Sequence, residues 1–141
     1  MNHLNLSTDY FMKPVPLTVI ASLLVSQFFL GGVNKIRGFE KTVLGLQKRF
    51  NPNLPVWFYQ LAIVGVILLE ILAPLAIVMT TMRKVKKEYA ILSLVALAIF
   101  TVWATYIYHF PPFGMTFYPF ISNTSAVGGL LAFAVFLGQK L

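Results

Sequence analysis

The chain has 141 residues and a net charge of +7, and it is 58% hydrophobic but only 11% charged. Soluble domains carry roughly 25% charged residues, so the composition excludes an ordinary water-soluble fold and indicates an integral membrane protein. The basic residues lie in short runs between apolar stretches, as topology signals and headgroup contacts do, so no nucleic-acid partner is expected. With no cysteine, disulfides, thiol catalysis and thiolate metal sites are excluded within these residues.

Met1 to Pro14 reads as a short polar arm outside the membrane. The apolar run after it makes a poor signal peptide, because its leader is long and no small-residue cleavage motif precedes Asn34–Lys35. A first span is expected over about residues 15–34, which are uncharged and, at about 1.5 Å per residue, just cross a hydrocarbon core of ~30 Å. Gln27, Gly31, Asn34 and Lys35 follow one stripe of that helix, with Gln27 at mid-depth. Over residues 38–50, Phe39, Val43, Leu46 and Phe50 share a helical face while Glu40, Lys41, Gln47 and Lys48 lie elsewhere. A short amphipathic helix at the membrane surface is expected there. Asn51-Pro-Asn-Leu-Pro55 then turns the chain inward, with Pro55 suited to a helix start.

The second span, about residues 56–80, carries a single charge, Glu70, near its middle. A carboxylate in hydrocarbon is costly, so such acids face the bundle interior, take a partner and mark function. Pro74 lies one turn on and cannot donate to the carbonyl of Glu70, which predicts a kink. The basic turn MRKVKKE leads to a third span over about 89–108, with Trp103, Tyr106 and Tyr108 as an interfacial belt near its end. Thr101, Thr105, Tyr108 and His109 repeat the polar stripe of span one. The stretch HFPPFGMTFYPFISN holds three prolines and many aromatic rings, which predicts a fifteen-residue loop folded onto the bundle at the interface. A fourth span is expected over about 121–138.

The expected fold is therefore an all-α membrane protein, a single four-helix transmembrane bundle over residues 1–141 with a short amphipathic interfacial helix between spans one and two. Four spans put both termini on one side. Six cations on that side against five opposite lean toward cytoplasmic termini, in a bacterial inner membrane or a eukaryotic organelle membrane. The lipid bilayer is the expected partner, and the four spans either stand alone or form an oligomer.

This topology brings Lys35, Arg37, His109 and Asn123 to one face of the membrane, above Glu70. Either Lys35 reaches inward to pair with Glu70, or Gln27 hydrogen-bonds a protonated Glu70. The plainer expectation for the cations is that Lys35 and Arg37 snorkel to headgroups. Gly31-Gly32 and Gly128-Gly129 are expected to mark where spans one and four pack, since small residues let transmembrane backbones approach. No catalytic residue is assigned: the two histidines, His3 and His109, lie far apart, and neither a metal or haem ligand set nor a phosphate loop or nucleophile motif occurs. Glu70, Gln27, Lys35, His109 and Asn123 form the expected ligand or proton site. Its chemistry suits a polar headgroup, a quinone ring or proton carriage.

In this order, the motifs resemble the DoxX-like family of small four-span membrane proteins. The Gly-x-x-Lys pattern is Gly32 to Lys35 in FFLGGVNKIRGFEK, and the acid of span two is Glu70 in LLEILAPLAI. His109 closes span three, and ISNTSAVGGLL, with Asn123, Gly128 and Gly129, enters span four. The FPPFGMTFYPF loop departs from the family pattern. The resemblance implies a four-helix bundle and an accessory subunit or partner of a membrane or peripheral oxidoreductase, since some relatives associate with thiosulfate:quinone oxidoreductase or a superoxide-detoxifying complex. A bound quinone would fit that setting. More distant eukaryotic relatives act as chaperones or cargo receptors for membrane proteins, which implies an assembly factor as the alternative, ahead of a small proton-coupled transporter.

Overall fold

The computed structural model describes residues 8–141, and every regular element among them is helical. A short α1 (Thr8–Phe11) lies within the polar arm, and residues 1–7, with His3, are outside the described part. The long helices are α2 (Pro14–Arg37), α4 (Val56–Thr81), α5 (Lys87–His109) and α6 (Phe117–Lys140), with α3 (Phe39–Phe50) between the first two. Pro14 and Pro16 sit in the first turn of α2, where a missing N–H leaves no helical bond unmade. Between α4 and α5, Arg83 takes a left-handed φ of 59° while the N–H groups of Arg83 and Lys84 return to the carbonyls of Thr80 and Met79. That pattern satisfies the last carbonyls of α4 and reverses the chain.

The four long helices, with α6 counted from Gly114, reach mean hydropathies of 1.8 to 2.8. Their outer faces present side chains such as Leu23, Leu61 and Leu92, exposed by 73%, 64% and 68%. So much exposed apolar surface is stable only against lipid. The chain is a multi-pass integral membrane protein.

The bundle has two unlike halves. α2 packs along α4, α4 along α5 and α5 along α6, whereas α2 and α6 meet only narrowly. In the half that holds the start of α2 and the end of α6, Leu17, Ala21 and Val25 interlock with Ile77, Leu94 and Leu130 in a continuous apolar core. In the other half α6 buries nothing before Leu130. There α3 fills part of the space, with Val43 packed against Tyr59, Ile63 and Ile67 of α4, and Phe39 and Leu46 beside them. Most of the apolar face of α3 thus covers protein, and only Phe50 on it is open. The Tyr59 hydroxyl donates to the Asn51 carbonyl at 2.5 Å and the Gln47 amide to the Leu54 carbonyl at 3.1 Å, which hold α3 against the start of α4.

Two local expectations change. The proline-rich loop is shorter than fifteen residues, because α6 begins at Phe117 and accommodates Pro119 in its first turn, where no intrahelical N–H is needed. α4 is continuous through Pro74, and the ring is buried. The two glycine pairs do not face each other. A Cβ on Gly32 would lie 3.0 Å from Ile71 Cγ1 and 3.1 Å from Glu70 Cβ, so this glycine serves the α2–α4 seam. A Cβ on Gly129 would meet Leu24 Cδ1 at 3.2 Å, the point where α6 approaches α2, while Gly128 faces open space. Spans one and two are packed along their length and spans one and four are not, so the first pair is taken up by span two.

Gly32→Ala is therefore expected to lower the melting temperature of the detergent-solubilised protein, by a destabilisation of about 1–3 kcal/mol from overpacking. Gly128→Ala should leave it unchanged or slightly raised, since alanine is the better helix former. Equal melting of the two variants would contradict this assignment of the seam.

Candidate functional site

Buried positions recur along α4 at Tyr59, Ile63, Ile67, Glu70, Pro74 and Ile77, so Glu70 lies on the face turned to the other helices. On α2 the buried stripe Leu17, Ala21, Val25, Phe28 and Gly32 extends to Lys35 by the same spacing. The two stripes meet at an ion pair. Lys35 Nζ donates to both carboxylate oxygens of Glu70, at 2.9 Å and 2.8 Å, with side-chain exposures of 27% for the lysine and 5% for the acid. It is the one salt bridge among the described residues. Of the two arrangements open on sequence grounds, Lys35 supplies the partner, and Gln27 does not bond Glu70. A Cβ on Gly31 would lie 3.5 Å from Glu70 Oε1 and 3.6 Å from Lys35 Nζ. Glycine there leaves that side of the pair uncovered.

That uncovered side opens into a cavity of about 800 Å³ in the loosely packed half of the bundle. Gln27, Lys35, Glu70, His109 and Asn123 all line it. Four helices thus converge on one space: α2 brings Gln27 and Lys35, α4 Glu70, α5 His109 and α6 Asn123. Among the described residues, the side chains of Gln27, His109 and Asn123 make no hydrogen bond, so they remain free toward the cavity. The Thr101 hydroxyl also lines it but returns to the Leu97 carbonyl of its own helix at 2.7 Å. Apolar walls are supplied by Phe28, Ile63, Val66, Phe100 and Ile107. Arg37 and Asn34 stand outside the lining, exposed at the end of α2.

Sequence reasoning left out the contribution of α3. Lys41, Thr42, Gly45 and Arg49 line the cavity as well. Arg49 Nη1 donates to the Tyr108 carbonyl at 3.2 Å, and the guanidinium lies 5.0 Å from the Tyr108 ring centroid, joining α3 to the end of α5. A signal was present: Lys41, Gly45 and Arg49 fall at i, i+4 and i+8, a polar stripe beside the apolar one. Three cations, Lys35, Lys41 and Arg49, then face one carboxylate, Glu70, across the lining. Since Lys35 and Glu70 neutralise each other, the surplus positive charge belongs to α3.

Chemically, the arrangement offers a neutral ion pair at mid-span, free amides beside it, unpaired cations where α3 meets α5, and an apolar wall throughout. Such a space suits an amphiphile. Compared with known proteins, the chain matches no family model, no curated protein and no solved structure.

The pair should respond unequally to its two partners. Lys35→Met strands a nearly fully buried carboxylate and is expected to cost roughly 3–5 kcal/mol. Glu70→Gln should cost less, because the lysine is partly exposed and its long stem can turn the charge toward headgroups. Replacing both by methionine should recover much of the loss, as buried pairs exchanged for apolar groups often do. Melting in detergent measures all three variants, and a Lys35→Met protein as stable as the parent would mean the pair contributes nothing.

Proposed function

We propose that this chain is a DoxX-like, non-catalytic membrane subunit that takes an amphiphile, a quinone or a lipid, from the bilayer into the cavity beside Glu70 and supports a membrane redox complex. The observation that carries the binding reading is a cavity of about 800 Å³ on which all five polar residues Gln27, Lys35, Glu70, His109 and Asn123 converge. Its volume falls within the range of small-molecule sites, ~300–1,000 Å³, and its lining combines apolar walls with a few placed polar groups, as such sites do. The redox association is supported by the order of the Gly-x-x-Lys, Glu, His and Asn motifs along the chain.

Gly45 provides a clean test. It lines the cavity, and a Cβ built on it meets nothing within 4 Å, so Gly45→Trp can project a bulky ring from an open backbone position into the space. Protein purified from native membrane is expected to carry quinone or lipid at about one molecule per chain and to bring an oxidoreductase with it. The Gly45→Trp protein should melt at the same temperature or higher yet lose the bound amphiphile. Equal content in both proteins would place the molecule outside the cavity. Capture of a client transmembrane helix by crosslinkers at Gln27 or Asn123, with no bound amphiphile, would turn the reading toward an assembly factor.

A further inference from the structure

We infer that the occupant of the cavity is a phospholipid with an anionic headgroup, its phosphate held over Gly45 between Lys41 and Arg49. This rests on the cavity-binding reading and specifies the ligand class. Lys41 and Arg49 both line the cavity from one face of α3, about 12 Å apart along the helix axis at eight residues' separation. Two long side chains can close on a group midway between them, and the residue midway is Gly45, which leaves that spot open. Neither cation pairs with a carboxylate among the described residues, and the acid nearest in sequence, Glu40, is exposed and outside the lining. Arg49 donates one bond to the Tyr108 carbonyl, which aims the guanidinium and leaves its remaining N–H groups for a ligand. Phosphate oxygens are the natural acceptors for such a fork.

The rest of the cavity fits the remainder of the same molecule. Ile63, Val66, Phe100 and Ile107 supply an apolar wall for acyl chains. The narrow contact between α2 and α6 leaves the side of the bundle where a chain can pass in from the bilayer. A neutral quinone has no use for two unpaired cations. An anionic group gains charge-assisted hydrogen bonds from them that a neutral occupant does not.

The test offers the purified protein equal amounts of phosphatidylglycerol and phosphatidylcholine in mixed micelles and counts retained lipid by native mass spectrometry. The parent chain is expected to retain phosphatidylglycerol about tenfold over phosphatidylcholine, in line with charge-assisted hydrogen bonds to phosphate. Lys41→Gln/Arg49→Gln should still retain lipid but lose the preference. Lys41→Gln alone, at an exposed side chain with no protein partner among the described residues, should lose most of it without loss of folding. Lys48→Gln, on the same helix but outside the lining, serves as the control and should match the parent. Equal retention of both lipids by the parent, or retention of quinone alone, overturns the headgroup assignment and leaves the cavity reading standing. No retained amphiphile in either the parent or Gly45→Trp removes both. Displacement of phosphatidylglycerol by millimolar inorganic phosphate, with the same thermal shift from phosphate alone, would make the site one for a soluble anion and overturn the lipid assignment.

Discussion

A carboxylate at the middle of an apolar span cannot stay unpaired, and the Lys35–Glu70 ion pair is the arrangement on which the other contacts of the bundle depend. It requires α2 and α4 to come close where Glu70 lies, and Gly32 makes that possible. Gly32 brings the helices near enough that a methyl group would crowd Glu70 itself. Gly31 lies beside the pair, where an added Cβ would stand 3.5 Å from Glu70 Oε1 and 3.6 Å from Lys35 Nζ. Because side chains in a helix tilt toward its N-terminus, Lys35 reaches back over the turn that Gly31 occupies. Close approach at Gly32 and the backward reach of Lys35 together bring an interfacial cation down to a mid-span acid.

The same two helices are tied at their other ends by the Thr18 and Thr81 hydroxyls, 3.0 Å apart. α2 and α4 therefore form a unit held by polar contacts at two depths. The hydroxyls of Thr101 and Thr105 on α5 return to carbonyls of their own helix at 2.7 Å and 2.6 Å, so they link nothing across the bundle. α5 and α6 join by apolar packing, concentrated in the half that holds the core. With α6 unburied before Leu130, the opposite half is left open, and α3 covers α4 there instead of a fourth span. The cavity follows from this unequal packing: one half is dry and interlocked, the other is held apart and polar-lined.

The ion pair and the cavity also divide the electrostatics. Pairing removes Lys35 and Glu70 from the net charge, although both remain in the wall. What is left positive comes from α3, an element whose apolar face is occupied by α4 and whose polar stripe is turned to the cavity. An amphipathic helix commonly divides between lipid and water. Here the division is between protein and cavity, which turns a topological connector into part of the site.

Much of this was legible from the residues in order. Four spans, the connecting amphipathic helix, the exceptional cost of Glu70 and the convergence of Lys35, His109 and Asn123 on one face all follow from hydropathy, helical period and chain reversal. Those are properties of single helices and of their order. The identity of Glu70's partner, the use of Gly31-Gly32 against span two rather than span four, the helical start at Phe117 and the role of Lys41 and Arg49 were decided only by the tertiary structure. Each depends on which helices touch, along how much of their length, and where they leave a gap. A periodic pattern says which face of a helix is turned inward, but several neighbours can satisfy the same face, and only the packed bundle selects among them.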